Sequence, residues 1–151
     1  SAESRMPVWR GFSMDKDVLM TKIESLMRCL GRIQEKTPSS VEELESSLDA
    51  QDIISVNLER AIQMSVDISS HIAADFSNDT PQTMSQSFLI LAKHGIIPDE
   101  LAASMVKAVG FRNIAVHQYQ SVDLGIVYSI VTKNLDDFKK FLACVKNYMD
   151  R

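Results

Sequence analysis

The sequence predicts an all-α fold, an up-and-down helical bundle of four to five helices. Apolar residues recur three or four positions apart along most of the chain, which is the spacing of one face of an α-helix. Aromatic residues make up only 7% of the 151 residues, with 5 Gly and 4 Pro, a composition that disfavours an all-β protein. Apolar residues make up 45%, enough for this length to form one core as a single domain.

The first helix is predicted from about Asp15 to Glu35, and Thr37-Pro38 ends it because the residue before a proline disfavours helix. Its apolar positions follow a 4-3-4-3 spacing: Leu19, Ile23, Leu26, Leu30 and Ile33. Residues 1–13 lack this pattern, and they also lack the long apolar run of a signal peptide or a membrane helix. We interpret them as an N-terminal extension or a remnant of cloning, expected to be disordered, ahead of a helical domain spanning residues 14–151.

Two helical segments are predicted next. Ser39 to Glu43 has the pattern of a capping box, which starts a short turn that ends near Ser47. A long helix follows from Asp49 to about Phe76, and its apolar stripe comprises Ile54, Leu58, Ala61, Ile62, Ser65, Ile68 and Ile72. On that helix Asn57 and Arg60 are three residues apart, so they can lie side by side, either on a solvated face or beside a site on a neighbouring helix.

Three helices complete the bundle. A short helix begins at Thr80-Pro81 or Thr83 and ends at Gly95. Pro98-Asp99-Glu100 opens the next, and Gly110 inside it predicts a kink or a close packing contact. The last helix, capped by Ser121 or Asp123, has a regular apolar seam at Leu124, Val127, Val131, Leu135, Phe138, Leu142, Val145 and Met149. Its outer lysines, Lys133, Lys139, Lys140 and Lys146, form a solvated strip by default and a path for an RNA strand as the alternative.

A cluster of chemically capable residues follows Gly110: Arg112, Asn113, His117 and Tyr119. On a helix Asn113 and His117 share one face, while Arg112 and Tyr119 share another about 100–140° away. One helix therefore cannot aim all four at one small target, and the same helix of a second, symmetry-related chain is the simplest partner. The alternative is a structural role, with His117 and Tyr119 in the core.

These residue types suit cleavage of RNA. Histidine exchanges protons near neutral pH, and arginine binds phosphate with a planar fork of donors. The sequence has no clustered carboxylates and no His/Cys spacing for a divalent metal, so we expect neither a metal nor another cofactor. The net charge of −4 gives no overall basic surface for nucleic acid, so the positive groups of an RNA enzyme must be concentrated in a cleft.

The run Val109-Gly110-Phe111-Arg112-Asn113-Ile114-Ala115-Val116-His117-Gln118-Tyr119 resembles the R-x4-H-x-Y block of HepT-type HEPN toxins, partners of MntA nucleotidyltransferase antitoxins. The resemblance extends over nearly everything from Met14 onward and includes Asn57-Leu58-Glu59-Arg60-Ala61. It implies a HEPN-like homodimer that acts as a metal-independent endoribonuclease toxin of a type II or type VII toxin–antitoxin system. It further implies that Arg112 and His117 are catalytic and that Asn113, Asn57 and Arg60 support them.

The same resemblance implies that the cognate nucleotidyltransferase neutralises the toxin by adding AMP to Tyr119. We expect the protein to be cytoplasmic, with RNA as its substrate and no membrane segment. The competing hypothesis is a non-catalytic helical module that binds a nucleotide or a protein and accompanies a nucleotidyltransferase.

Overall fold

The elements of this chain are helices. The structure, a computed structural model, describes the backbone of residues 2–76, 78–117 and 123–151 and the side chains of residues 16–76, 78–113 and 123–151. Over these residues there is no strand, and the α-helices are α1 (Ala2–Lys36), α2 (Val41–Glu45), α3 (Leu48–Ala73), α4 (Met84–Lys93), α5 (Asp99–His117), α6 (Leu124–Ser129) and α7 (Leu135–Met149). A π-helical turn, Ile130–Asn134, joins α6 to α7. The predicted all-α class is confirmed.

The long helix α3 lies at the centre of the bundle, where it contacts α1, α4, α5 and α7. The whole stripe predicted to face the core is buried: Ile54, Leu58, Ala61, Ile62, Ser65, Ile68 and Ile72. Ser65 is tolerated among these apolar side chains because its Oγ donates a hydrogen bond to the carbonyl oxygen of Ala61 at 2.8 Å. The amphipathic pattern of the sequence therefore placed this helix correctly.

Helices α1 and α3 run antiparallel along most of their length. Lys22 Nζ lies 3.4 Å from Asp67 Oδ2, while Cys29, two turns further along α1, lies close enough to Arg60 for the two to interact electrostatically. Residue numbers thus rise on α1 as they fall on α3. This pairing brings the outer edges of the two helices together as the walls of a cleft.

The last helix is interrupted where the sequence predicted a continuous one. Asp123, one of the two predicted caps, begins it, because its Oδ1 accepts hydrogen bonds from the backbone N–H groups of Gly125 at 2.8 Å and Ile126 at 3.4 Å. The predicted seam positions Val127, Val131, Leu135, Phe138 and Val145 are buried, whereas Leu142 is half-buried and its neighbour Phe141 is fully buried. Phe141 packs edge-on against Phe88 of α4 with ring centroids 5.8 Å apart.

Two local predictions need correction. The first helix begins at Ala2, well before the predicted start at Asp15, although the division of the chain at residue 14 stays a prediction. A Cβ added to Gly110 would meet no other atom within 4 Å, so close packing within the described part of one subunit does not explain this glycine. Among the described helices, none is long and apolar enough to cross a membrane.

Candidate functional site

Arg112, Asn113 and His117 lie in the last turns of α5, whose helical backbone continues without interruption through His117. Leu101, Met105 and Val109 are buried and attach α5 to the core. At about 100° per residue, Arg112 lies within about 20° of Met105 around the helix axis, whereas Asn113 and His117 lie about 40° and 80° past Val109. The end of α5 therefore places a polar residue, Arg112, at the phase of the core-facing stripe.

Arg112 is half-buried on α5. Its Nε is fully buried and has no hydrogen-bond partner among the residues that the structure describes. A buried N–H group without a partner costs about 1–3 kcal/mol, so the guanidinium is held in a position that a ligand oxygen would improve. Arginine donates to phosphate and carboxylate through two parallel N–H groups, and an anion is the ligand that this geometry suits.

Asn113 is exposed and lies about 40° around the helix axis from buried Val109. The helical backbone places it one turn before His117 on the same side of α5, as the sequence predicted. The side chain of His117 and the whole of Tyr119 lie outside the described residues, so the predicted pairing of Arg112 with Tyr119 stays a prediction.

The two predicted supporting residues, Asn57 and Arg60, lie together on α3, where they line a cleft of about 600 Å³ between α3 and α1. Asn57 is half-buried, and its Nδ2 donates to the carbonyl oxygen of Ile53 at 2.8 Å. No described residue of α5 lines this cleft, so the structure brings Asn57 and Arg60 to each other without bringing them to Arg112 within one subunit. The full lining comprises Ser25, Arg28, Cys29, Arg32, Asp52, Ile53, Val56, Asn57 and Arg60.

The sequence analysis missed Arg28 and Arg32, which face Arg60 across this cleft. A signal was present, because arginines four residues apart share one face of a helix. Recognising it required the antiparallel pairing of α1 with α3. The Cys29 thiol, which lines this cleft, is affected by these positive charges. Burial raises the pKa of the thiol, while the charges of Arg60 and Arg28 act in the opposite direction.

The other polar clusters of the described residues have structural roles. His94 caps the end of α4, stacks on Phe76 with ring centroids 3.9 Å apart, and its Nε2 lies 2.7 Å from Asp79 Oδ2. No set of three or more His, Cys, Asp or Glu side chains in the described ranges is grouped as metal ligands would be.

Comparison with known proteins adds a family assignment. A family model described as "Ribonuclease HepT-like" matches residues 26–145. A Shewanella oneidensis protein named "mRNA nuclease HepT" is 35% identical over 130 residues, which covers 86% of this chain and 97% of that protein. A "tRNA nuclease HepT" of Aphanizomenon flos-aquae is 25% identical over 132 residues, covering 87% of this chain and 90% of that one.

Solved structures give the same result. A tri-AMPylated Shewanella oneidensis HEPN toxin, determined in complex with an MNT antitoxin, superposes with a TM-score of 0.80 at 34% identity and covers 87% of this chain and 98% of its own. A cytosolic Bacillus subtilis protein of unknown function superposes with a TM-score of 0.78 at 14% identity, covering 90% of this chain and 91% of its own, and shows that the fold is shared more widely than the sequence.

Proposed function

Because this chain belongs to the ribonuclease HepT-like family, we propose that it is an RNA endonuclease and the toxin of a toxin–antitoxin system, with a nucleotidyltransferase as its antitoxin. The family predicted from residues 109–119 is confirmed. Relatives named for cleavage of mRNA and of tRNA, and a relative solved as a toxin with its MNT antitoxin, support the enzyme class and the partner.

The exposed end of α5 is the observation that carries the proposal for the site. Its core-facing stripe passes from buried Val109 to half-buried Arg112, and Asn113 beside it is exposed, so the described residues of one subunit leave this end of α5 partly uncovered. A symmetric pair of such ends forms an isologous contact, in which each copy offers the other the same residues. We propose that the homodimer forms here, with Arg112 and His117 of the two copies around one cleft.

The chemistry proposed for this cleft is transfer of the scissile phosphodiester to the neighbouring ribose hydroxyl. The 2′-oxygen attacks phosphorus and loses its proton to a base, the bond from phosphorus to the 5′-oxygen breaks, and that oxygen receives a proton. The products are a 2′,3′-cyclic phosphate and a free 5′-hydroxyl. His117 serves as the general acid or base, since imidazole exchanges protons near neutral pH.

Arg112 would bind the phosphate and stabilise the charge that grows on its oxygens in the transition state. Its buried Nε without a partner and its half-buried position support this role. Asn113, one turn before His117, would orient either the imidazole or the phosphate. Loss of one such charge-stabilising donor usually slows catalysis by on the order of a hundred- to a thousandfold.

The first prediction concerns cleavage by the purified dimer. We expect freshly prepared, unmodified protein to cut RNA in the presence of EDTA, and we expect Arg112→Ala and His117→Ala each to lose cleavage by a hundredfold or more. The measurement is the rate of cleavage of a labelled RNA, with mass spectrometry of the ends to identify the cyclic phosphate.

The control for folding is Lys107→Ala, a change elsewhere on α5, with melting temperatures recorded for all variants. RNA left intact by unmodified wild-type protein would contradict the enzyme and favour a non-catalytic module that binds the nucleotidyltransferase. Cleavage retained by both site variants would instead show that the reaction occurs elsewhere on the protein.

The second prediction concerns Tyr119 and the antitoxin. An AMP group on this tyrosine would carry a negative phosphodiester close to Arg112 in sequence, where it would occupy the anion site and obstruct RNA. We expect co-expression with the cognate nucleotidyltransferase to add the mass of AMP to the chain and to abolish cleavage. The relative solved with its antitoxin carries three AMP groups, which supports the test.

Tyr119→Phe is the matched variant for this experiment, because it keeps the ring and removes only the acceptor hydroxyl. We expect it to cleave RNA and to remain active after co-expression. AMP attached at any residue other than 119 would contradict the assignment.

A cytoplasmic location follows from the proposed activity, since mRNA and tRNA are found there.

A further inference from the structure

The cleft between α1 and α3 concentrates positive charge in a chain whose net charge is −4. Arg28 and Arg32 line one wall and Arg60 the other, and Asp52 is the only carboxylate among the lining residues that the structure describes. The local balance is therefore three positive charges against one negative charge. Such a concentration of like charge in an acidic protein requires an explanation beyond solubility.

The arrangement of the three arginines is set by the two helices. Arg28 and Arg32 are one helical turn apart on α1, which separates them by about 6 Å along the axis. Arg60 lies opposite on α3, because the antiparallel pairing places it beside Cys29. The three arginines are therefore spread both along the cleft and across it. This arrangement can contact successive charged groups of an extended ligand.

Most of this charge is not neutralised within the protein. Arg28 and Arg60 form no ion pair within 4 Å among the described residues, and only Arg32 has one, at 3.3 Å to the exposed Glu35. Arginines at i and i+4 on one helix repel each other and destabilise it slightly. All three are exposed, while buried Cys29 and half-buried Ile53 form the base of the cleft.

We propose that the α1–α3 cleft binds the phosphodiester backbone of the RNA substrate, away from the scissile bond. This inference rests on the proposed function in one respect, that RNA is the substrate. The arginines contact phosphates and no base edges, so the cleft contributes affinity and positions the strand without reading its sequence. Asn57, predicted to support catalysis, belongs to this cleft as a polar group of its wall.

The shape of the cleft favours an RNA strand over an acidic protein surface. A concave groove of about 600 Å³, with positive walls and an apolar patch at Ile53 and Val56, is the form that proteins use to follow a single strand. Planar guanidinium groups match phosphate oxygens in a bidentate manner, which favours phosphate over isolated carboxylates. Binding of an acidic protein surface in place of RNA is one of the outcomes that the test distinguishes.

The test measures binding of an uncleavable RNA to the full-length protein. A fluorescent oligonucleotide with 2′-O-methyl groups is titrated at several salt concentrations with the wild type, with each of Arg28→Gln, Arg32→Gln and Arg60→Gln, and with the triple variant. We expect each single change to lower the salt-dependence slope by about 0.7 and the triple change by about 2, since each phosphate contact to a single strand contributes about 0.7. The loss should be equal for two oligonucleotides of unrelated sequence.

Arg151→Gln is the matched control, because it removes an exposed arginine that lies over the Tyr148 ring and outside the cleft. We expect its affinity and slope to equal those of the wild type. Melting temperatures of the cleft variants should stay close to the wild-type value, because Arg28 and Arg60 make no described side-chain hydrogen bond and Arg32 loses only an exposed pair with Glu35.

The outcomes separate this proposal from the proposed function. Unchanged RNA affinity in the triple variant would contradict RNA binding by the cleft, while loss of cleavage in His117→Ala would still support the nuclease. A triple variant that binds RNA normally but no longer binds the nucleotidyltransferase would overturn it as well, and would assign the cleft to the protein partner. Wild-type protein that does not bind the RNA at low salt would also reject it, whatever the cleavage assay shows.

Discussion

Arg112 and Arg60 show how the same residue type is presented differently by two helices. Arg112 is half-buried, with a buried Nε that has no partner in the described part of the chain, while Arg60 is exposed on the wall of a cleft. A preorganised, partly desolvated donor suits the stabilisation of charge in a transition state. An exposed donor suits a contact that adds affinity and weakens as salt rises.

Asp79 has a carboxyl group whose pKa is shifted by neighbouring side chains of α4 and its cap. Its carboxylate accepts hydrogen bonds from Lys93 Nζ at 3.1 Å and lies 2.7 Å from His94 Nε2. The His94 hydrogen bond, followed by that of Lys93, lowers the pKa of Asp79 below its usual value. The group is therefore more acidic in the folded chain than in the unfolded chain, and it ties the loop before α4 to the end of that helix.

The third prediction follows from the sign of this shift. A carboxyl group with a lowered folded pKa contributes stability that is present above its unfolded pKa, about 3.9, and is lost as the pH falls through the lower folded value. We expect Asp79→Asn to be less stable than the wild type at neutral pH, and we expect the difference to shrink as the pH falls below about 3.9, the unfolded pKa, toward the lower folded value. Urea unfolding from pH 7 to pH 2.5 measures it, and a difference that persists unchanged at the acid end would contradict the assignment.

Among the helices, the α6–α7 segment departs most from its sequence pattern. Its apolar residues predicted one continuous helix, but a π turn at Ile130–Asn134 interrupts it, and Phe141, outside the predicted seam, is fully buried while Leu142 is half-buried. Leu142 lies in a groove between α1 and α7. Local spacing alone cannot separate two adjacent apolar residues when the helix itself is not regular.

The fourth prediction compares the two adjacent residues Phe141 and Leu142. We expect Phe141→Ala to lower the free energy of unfolding by about 3–5 kcal/mol, because it removes a fully buried ring and leaves a cavity beside Phe88. Leu142→Ala, the adjacent and half-buried control, should cost only about 1–2 kcal/mol. Chemical denaturation of the two variants measures this, and the reverse order would show that Leu142, the residue predicted from the sequence, contributes more to the core.

At the scale of the whole molecule, the proposed site depends on which subunit supplies Arg112 and which supplies His117. Arg112 and His117 are five positions apart on α5, so their directions differ by about 140° around the helix axis. A single copy therefore has difficulty directing both at one phosphorus. In the proposed homodimer, two copies related by a twofold axis would remove that difficulty, because each would contribute one of the two residues to each catalytic centre.

The fifth prediction uses mixed dimers. One chain carries Arg112→Ala, the other carries His117→Ala, and different affinity tags allow the heterodimer to be purified. If each centre takes its arginine and histidine from different subunits, one of two centres is intact, and we expect about half of the wild-type cleavage rate. Both homodimeric variants serve as inactive controls. A heterodimer that is as inactive as its parents would show that each subunit supplies both residues of its own centre.

The sequence alone determined the helical class, the buried stripe of α3 and two candidate caps for the last helix, Ser121 and Asp123. All of these depend on interactions within a few residues, where the period of the helix and the hydrogen-bonding capacity of single side chains are decisive. The family resemblance, most specific over residues 109–119, also comes from the sequence alone and predicts roles for Arg112, Asn113, His117 and Tyr119.

The tertiary structure alone decided which distant residues meet. It placed Arg28 and Arg32 opposite Arg60, left Arg112 only half-buried at a core phase, and buried Phe141 more completely than the adjacent Leu142. Each of these depends on how one helix packs against another, and the pairing and rotation of two helices are set by all of their contacts together. A pattern read along one helix does not contain that information.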